Sequence, residues 1–304
     1  PKIAVGLRRE SVSVVGLQKQ GRSFALRRAA TIDLPEGVLS PNFVEPNIIA
    51  HEELTAALRE AASNAGLGGQ KKWSASLPID AARAAILTLE VAPKTGKELN
   101  EVLNWKAERN FGTPASEMRL TFQKLAPDAE KRFRYFAVAV KQDILDEYEE
   151  LFNGLGWRIG LILPRHVSEA NWLTRAQTSK TNGDSLLIST QSEGFTAILM
   201  RQNVPFVVRS VVCEPDECED ELFRLLLFYR DRLEAEKSAS IKLLDRFLLV
   251  GEGFEQERLT EIAQETLGYD LPILAPEDVG LLLPDEMNFA DVAAPAGLAA
   301  LAWN

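Results

Sequence analysis

Two segments of the chain, residues 3–26 and 185–212, share one order of strands and loops. Each has an apolar run, a short polar loop, a second apolar run, a turn and a third run. A shift of 183 aligns Gly6 with Ser189, Ser13 with Thr196 and Leu17 with Met200, and a shift of 182 aligns Phe24 with Phe206 and, just past the first segment, Arg27 with Arg209. Strand–loop–strand units are common, so chance is the alternative, but duplication explains the pattern better. The sequence therefore predicts a protein with two related lobes.

Composition limits the classes of function that the chain can have. Its 304 residues are enough for two domains or for one two-lobed domain. The net charge of -10 argues against a general nucleic-acid binder, because such proteins release counterions through clustered Lys and Arg. No apolar run reaches the roughly 18 residues of a membrane-spanning helix, and charge interrupts the N-terminal apolar stretch too early for a signal peptide. We expect a cytoplasmic protein with no direct membrane insertion.

Cysteine and histidine are too few to build a metal site or a catalytic triad. The only cysteines are Cys213 and Cys218, and their spacing fits neither a disulfide framework nor a Cys-x-x-Cys site. The only histidines are His51 and His166, which lie far apart in the sequence. We therefore expect two plain thiols, no metal site, and packing or surface roles for both histidines.

In the first half of the chain, the sequence predicts a hairpin over residues 12–32 with Gly21 at its turn. It then predicts a helix over 47–64 that Asn47 caps. A buried strand at 72–78 follows. Residues 84–158 then form a compact block of a strand, a helix, two strands and a second helix. The helix of this block starts with Thr95 and Glu98 at the spacing of a capping box. This block is a credible subdomain in its own right.

The second half begins with a helix near residues 167–176 and a polar stretch at 177–184 that we predict to be a hinge. After the repeated strands, a long helix is expected over 216–237, with Asp216 and Glu219 as a capping pair. A buried strand, a helix and a short strand come next. A last helix of small residues should contain Pro295 in its first turn, where a missing N–H costs little.

Several long segments together resemble a known family. Examples are "TLEVAPKTGKELNEVLNWKAERNFG", "AVAVKQDILDEYEELFNGLGWRIGLILP" and "PAGLAALAW". The full set of segments is residues 32–67, 88–125, 137–164, 221–230 and 295–303. In their order over essentially the whole chain, they resemble the PilM family of cytoplasmic actin-like proteins of type IV pilus assembly. The block at 84–158 is similar in order and position to the 1C subdomain that PilM shares with the cell-division protein FtsA.

The resemblance implies a fold and its division into parts. The expected fold is the α/β, two-lobed actin-like (ribonuclease H-like) fold with an inserted 1C subdomain of the FtsA and PilM type. Residues 1–83 would form the first lobe, 1A, continued by 159–180 and 284–304. The inserted subdomain would span 84–158, and the second lobe, 2A and 2B, would span 181–283.

The two phosphate motifs of the family are degenerate in this chain. In the first, which reads D-x-G-x-x-x-x-K-like, Gly6 takes the place of the Asp, Arg8 that of the Gly and Ser13 that of the Lys-like residue. In the second motif, Ser189 takes the place of the Asp and Gln191 that of the Gly. Loss of both carboxylates leaves no evident Mg²⁺ anchor. We therefore expect a pseudo-ATPase with a vestigial nucleotide cleft, in which no cofactor is bound and ATP with Mg²⁺ is disfavoured.

The adenosine turn of the family is better preserved, since Gly251 and Gly253 occupy its positions. Glu252 between them would oppose an anionic ligand if it pointed inward. A structural turn between a strand and a helix is the simpler interpretation. A dinucleotide fingerprint is excluded because Gln256 replaces the third glycine and the turn lies far from the first strand. The P-loop-like "APKTGKEL" lacks the first glycine and the Ser or Thr, and is interpreted as a helix cap.

The function that the resemblance implies is that of a non-catalytic scaffold at the cytoplasmic face of the inner membrane. It would bind the N-terminal cytoplasmic peptide of a PilN-like membrane partner in a groove between the first lobe and the inserted subdomain. Aromatic residues of the inserted block that would line this groove, unless they belong to its core, are Trp105, Phe111, Phe122, Tyr135 and Phe136. The alternatives are a working actin-like ATPase and a GspL-like cytoplasmic domain of a type II secretion system.

Overall fold

A computed structural model describes residues 1–91, 93–128, 130–176, 183–235 and 243–303. The chain forms two compact units. Unit 1 consists of Pro1–Gln18, Leu26–Ser168 and Ala294–Asn304, and unit 2 consists of Lys19–Ala25 and Glu169–Ala293. The predicted hinge at 177–184 lies largely outside the described residues. No helix in the described ranges is long and apolar enough to cross a membrane.

Strands and helices alternate along the chain. The strands are β1 (Ile3–Leu7), β2 (Ser11–Gln20), β3 (Ser23–Asp33), β4 (Lys72–Leu77), β5 (Arg83–Leu89), β6 (Met118–Leu125), β7 (Phe133–Lys141), β8 (Arg158–Pro164), β9 (Asp184–Gln191), β10 (Gly194–Arg201), β11 (Val204–Val211), β12 (Leu244–Val250) and β13 (Leu281–Leu282). The α-helices are α1 (His51–Asn64), α2 (Gly96–Phe111), α3 (Gln142–Gly154), α4 (Arg165–Leu173), α5 (Cys218–Ala235), α6 (Gln256–Leu267) and α7 (Phe289–Ala300). The α/β class expected from the sequence is confirmed.

Unit 1 is built on a sheet in which five strands follow the order β3-β2-β1-β4-β8. The predicted hairpin of β2 and β3 is confirmed, and Gly21 takes the positive φ of 61° that its turn requires. Strand β1 is antiparallel to β2 and parallel to β4, and β4 is parallel to β8, which ends the sheet. Helices α1 and α3 pack on one face of this sheet, because their apolar stripes join its buried side chains in one core.

The start of α1 differs from the prediction. The helix begins at His51, and the Asn47 side chain does not cap it. The buried Asn47 side-chain amide instead donates to the carbonyls of Asn42 and Glu45, at 2.8 and 2.9 Å. The backbone N–H groups of Asn47 and Ile48 donate to the Glu147 carboxylate, at 2.8 and 2.7 Å. The Asn47 side chain therefore stabilises the loop before the helix, and the Glu147 carboxylate binds the backbone of the same loop.

The block at 84–158 has the predicted order of elements. Its strands form a separate three-stranded sheet in the order β5-β7-β6, and both pairs are antiparallel. Helix α2 covers one face of that sheet, and Leu103 and Ala107 pack there against Leu87 and Tyr135. The Thr95 hydroxyl accepts the Glu98 N–H at 3.1 Å, so the predicted cap is confirmed. The second helix of the block, α3, packs into the core of the large sheet.

Unit 2 contains a four-stranded sheet in the order β11-β10-β9-β12. Its register agrees with the internal repeat, because Gly6 lies opposite Ser13 in β2 and Ser189 lies opposite Thr196 in β10. Strand β9 is also parallel to β12, as β1 is to β4. Helices α5 and α6 pack on this sheet through Leu222, Tyr229, Leu259 and other apolar residues.

The starts of two helices differ from the predictions. Glu214 and Glu217 form a reciprocal capping box around the short 3₁₀ helix Pro215–Glu217, and α5 follows at Cys218, so Asp216 is not the cap. Helix α7 begins at Phe289, where the Asn288 side chain accepts the Ala290 N–H at 2.9 Å. Pro295 therefore lies inside the helix and not in its first turn.

Candidate functional site

Gly6, the residue expected at the first phosphate motif, lies where a side chain has little room. Gly6 lies in β1, and a Cβ atom built on it would lie 2.8 and 2.9 Å from Cδ and Cγ of Pro295 and 2.9 Å from Oγ of Ser13. Contacts below 3.0 Å are essentially absent from real Cβ atoms. The Pro295 ring therefore lies too close to Gly6 to leave room for the Cβ atom of an Asp side chain. The carboxylate that the family motif requires has no room here without movement of α7.

The loop that follows Gly6 is closed by its own residues. The backbone N–H of Arg8 donates to the Ser11 carbonyl at 2.9 Å. The Arg8 guanidinium forms an ion pair with Glu10, and its side chain is only 16% exposed. Ser13 is buried beside Gly6. The Arg8 amide is therefore engaged within the loop, whereas a phosphate site needs loop amides that face the ligand.

Ser189, the residue expected at the second phosphate motif, makes a buried hydrogen bond. Ser189 is fully buried in β9, and its hydroxyl donates to Oε2 of Glu169 on α4. Glu169 is itself fully buried. The side-chain amide of Gln191, at the position of the family's glycine, donates to the Glu193 carbonyl at 3.3 Å. The Ser189 hydroxyl is therefore already used in a hydrogen bond to the Glu169 carboxylate of α4.

The glycine turn after β12 leads into α6, as predicted. Gly251 has a φ of 118°, and a Cβ atom on it would lie 1.7 Å from Oγ1 of Thr190. Gly253 has a φ of 97°, but a Cβ atom there would meet no atom within 4 Å. Glu252 follows Gly251, and Glu255 is the N-cap residue of α6. Acidic residues next to the positive end of a helix dipole disfavour an anionic ligand there.

These positions do not fit a Mg²⁺–nucleotide as the family motif would bind it. Neither motif carries its carboxylate, one carboxylate position is blocked by Pro295, and the other is a serine bonded to Glu169. Among the described residues, no group of three or more His, Cys, Asp and Glu could hold a metal ion. The two glycines at 251 and 253 are explained by the conformation of the turn.

His166, at the start of α4, is fully buried, and neither of its ring nitrogens has a hydrogen-bond partner among the described residues. Burial, together with the nearby cations Arg165 and Arg83, lowers the pKa of His166 to about 4 from its usual 6.5. Between about pH 4 and pH 6.5, His166 therefore binds a proton more readily in the unfolded chain than in the folded chain. Stability from the neutral imidazole is complete above pH 6.5 and is lost as the pH falls towards 4.

We expect the free energy of unfolding to fall by about 2 kcal/mol between about pH 7 and pH 5 through His166 alone. Urea unfolding of the His166→Asn variant at both pH values should show a correspondingly smaller difference. His51 is exposed, so His51→Asn is the matched control and should keep the pH dependence of the unaltered protein. An equal pH dependence in both variants would refute the role of His166.

A groove of about 480 Å³ lies between the large sheet of unit 1 and the block at 84–158. One wall is formed by six consecutive residues at the end of the large sheet, 159–164 of β8. The other wall consists of alternate residues of β6 and β7, with Leu145 and Glu149 of α3 beside them. The alternate residues are Arg119, Thr121, Gln123, Phe136, Val138 and Val140. The groove thus runs along a strand edge on one side and a sheet face on the other.

The five aromatic residues expected at a partner groove lie in different places. Phe136 lines the groove. Tyr135, Phe122 and Phe111 pack in the core between α2 and the three-stranded sheet, which is the opposite face. Trp105 is 52% exposed on α2, and the Arg109 guanidinium lies 5.1 Å from its ring. The structure therefore brings only Phe136 of this set to the groove.

Several groove residues were not singled out from the sequence. Val138 and Val140 share the face of Phe136, since side chains two residues apart point to the same side of a strand. Leu161 on β8 is a large apolar side chain that is 37% exposed. The alternation in β7 could have identified the two valines as a set with Phe136. The sequence has no signal for which side of the strand faces the groove.

Comparisons with known proteins agree with this architecture. No family model and no curated protein matches the sequence. A solved structure described as a PilM-PilN type IV pilus biogenesis complex is 18% identical, with full coverage of both chains and a TM-score of 0.77. The cytoplasmic domain of EpsL, an inner membrane component of the Vibrio cholerae type II secretion system, is 10% identical over 99% of this chain and 94% of that one, with a TM-score of 0.49.

A third solved structure, from Bacteroides thetaiotaomicron, is described as a protein with actin-like ATPase fold and unknown function. It is 11% identical over 98% of this chain and 95% of that one, with a TM-score of 0.48. The likeness to the PilM-PilN structure, together with the repeated strand order of β1–β4 and β9–β12, shows the fold. The chain has the α/β fold of the solved PilM-PilN structure.

Proposed function

We propose that the chain is a non-catalytic scaffold of a type IV pilus or related secretion assembly platform at the cytoplasmic face of the inner membrane. In this role it binds a short N-terminal peptide of a PilN-like membrane partner. The observation that carries the proposal is the groove between β8 and the face of β6 and β7. The similar solved structure is of a PilM-PilN complex, which supports a partner of this kind.

The shape of the groove suits an extended peptide. Strand β8 ends the sheet, so its outer edge can accept main-chain hydrogen bonds from an added strand. The opposite wall presents Phe136, Val138 and Val140, which can take up apolar side chains of that strand. Main-chain bonds would then supply affinity, and the apolar pockets would supply specificity.

The absence of catalysis is inferred from the phosphate loops. Gly6 carries no carboxylate, and Pro295 occupies the space that one would need. Ser189 donates its hydroxyl to Glu169. Phosphoryl transfer depends on carboxylates that position Mg²⁺ against the phosphates, and these positions supply none. The proposed role is therefore binding alone.

The experiment is a calorimetric titration with a synthetic peptide of the partner's N-terminal cytoplasmic residues. We expect the Leu161→Asp variant to bind the peptide about tenfold more weakly or worse, because a carboxylate in the groove loses its water when the peptide covers it. Leu282→Asp is the matched control, since Leu282 is also a strand leucine, is 40% exposed, and lies outside the groove.

Both variants should unfold at the urea concentration of the unaltered protein, because both leucines are partly exposed already. No detectable binding by the unaltered protein would overturn the proposed function. Equal losses in the two variants would show that the peptide binds somewhere other than the groove.

A further inference from the structure

Unit 2 contains a pair of thiols at unusually short separation. The Sγ atoms of Cys213 and Cys218 lie 3.1 Å apart, and both residues are free cysteines. A disulfide bond is about 2.0 Å long, so the two sulfurs need to approach by only about 1 Å to be joined. They are also the only cysteines in the chain, so neither has another internal partner.

The connection between β11 and α5 holds this pair together. The capping box of Glu214 and Glu217 folds the intervening residues into a tight turn that starts with Pro215. The Cys218 thiol donates to the Glu214 carbonyl at 3.5 Å. Proline and the reciprocal hydrogen bonds restrict the backbone between the two cysteines. The thiols are therefore held close by local structure.

The same segment lies against the loop that follows Gln191. A Cβ atom built on Gly194 would lie 2.0 Å from the Val211 carbonyl oxygen and 3.1 Å from the Cys213 nitrogen. The backbone before Cys213 is thus in direct contact with the start of β10.

We propose that Cys213 and Cys218 form a redox-active dithiol that hydrogen peroxide converts to an intramolecular disulfide. This inference concerns unit 2 alone and is independent of the proposed peptide binding. A peroxide is the fitting oxidant class because Asp216 and Glu217 place negative charge close to Cys218. Such charge repels an anionic oxidant such as glutathione disulfide but not the small neutral peroxide.

The two cysteines have different roles in the reaction. Cys213 is half-buried, whereas Cys218 is buried, with 7% exposure. Burial, contact with Cys213 and the acidic neighbours raise the pKa of Cys218 to about 12, so it stays a thiol at neutral pH. Because Cys213 is the more exposed of the two and the raised pKa makes Cys218 the poorer nucleophile, Cys213 reacts with the peroxide first and Cys218 resolves the product.

The chemistry balances in two steps. The Cys213 thiolate attacks one peroxide oxygen, the O–O bond breaks, and Cys213 becomes a sulfenic acid while hydroxide leaves and takes up a proton to form water. The Cys218 sulfur then attacks the Cys213 sulfur, the S–O bond breaks, and the hydroxyl group leaves with the thiol proton as a second water. The two sulfurs lose two electrons in total, and the peroxide receives them.

In the test, the folded full chain is exposed to peroxide and then unfolded. Its free thiols are alkylated, and the intact mass is measured. We expect both thiols to become resistant to alkylation, the mass to fall by two hydrogen atoms, and dithiothreitol to restore both thiols. With Cys218→Ser, dimedone should trap a sulfenic acid at Cys213. With Cys213→Ser, oxidation should be at least about tenfold slower. Glutathione disulfide should react more slowly than peroxide on the unaltered protein.

Three results would overturn the proposal. In the first, both thiols of the unaltered protein remain open to alkylation after peroxide treatment. In the second, the product is a disulfide-linked dimer, which a non-reducing gel detects. In the third, dimedone labels Cys218 in the Cys213→Ser variant as fast as it labels Cys213 in Cys218→Ser.

Discussion

Replacing Gly6 by aspartate is expected to lower the free energy of unfolding by about 3 kcal/mol or more and to restore no binding of Mg²⁺–ATP. The new Cβ would lie 2.8 Å from the Pro295 ring and 2.9 Å from the Ser13 hydroxyl. The rigid ring cannot rotate away, and the carboxylate would be introduced at a buried point of β1. Urea unfolding measures the first effect, and fluorescence titration with a labelled ATP analogue measures the second.

The steric part of this effect is isolated by comparing Gly6→Ala with Gly16→Ala. Gly16 lies in the neighbouring strand β2, where a Cβ atom would be 3.4 Å or more from its neighbours. We expect a loss of about 2 kcal/mol for Gly6→Ala and a change within about 1 kcal/mol for Gly16→Ala. Two results would contradict the interpretation that position 6 has no room for a side chain. One is a Gly6→Asp variant as stable as the unaltered protein. The other is tight Mg²⁺-dependent ATP binding by the unaltered protein or by Gly6→Asp, which would favour a working ATPase.

Replacing Gly251 by alanine is expected to destabilise unit 2 by about 4 kcal/mol, for two reasons that add. A φ of 118° is rarely adopted by residues with a side chain, and the new Cβ would lie 1.7 Å from the Thr190 hydroxyl oxygen. The backbone strain and the overlap both act on the same short turn after β12. Urea unfolding followed by circular dichroism measures the loss.

Gly253→Ala is the control that separates strain from overlap. Gly253 also has a positive φ, of 97°, but no atom lies within 4 Å of a Cβ atom placed there. We expect it to cost about 1 to 2 kcal/mol, from backbone strain alone. Adding Thr190→Ala to Gly251→Ala should recover about 1 kcal/mol, because the nearest overlapping atom is then gone. Equal losses at the two glycines would show that Thr190 does not restrict the turn.

Elements with a clear period were predictable from the sequence. The hairpin of β2 and β3, the order of the block at 84–158 and the Thr95 cap follow from alternation, apolar runs and local spacing. These signals depend on interactions between residues close in the chain. The internal repeat belongs to this group too, since matching Gly6 to Ser189 also matches their strand partners, Ser13 and Thr196.

Elements that depend on distant residues were predicted less well. Asn47 has the chemistry of a helix cap, but the Glu147 carboxylate holds its backbone outside the helix. Pro295 suits a first turn, but Asn288 starts α7 earlier. For α1, a contact distant in sequence holds the residue that was expected to cap the helix, whereas for α7 the cap is local and was missed. Local propensity is a weak prior, and tertiary contacts override it.

Residue identity was enough to predict that the phosphate motifs implied by the resemblance would be degenerate, since neither Gly6 nor Ser189 carries a carboxylate. The requirement for glycine at position 6 comes from tertiary packing, since Pro295 lies near the other end of the sequence. The groove was decided in the same way. Strand β7 is apolar on both faces, so its sequence cannot say which face α2 covers, and packing left Phe136 and its neighbours at the groove.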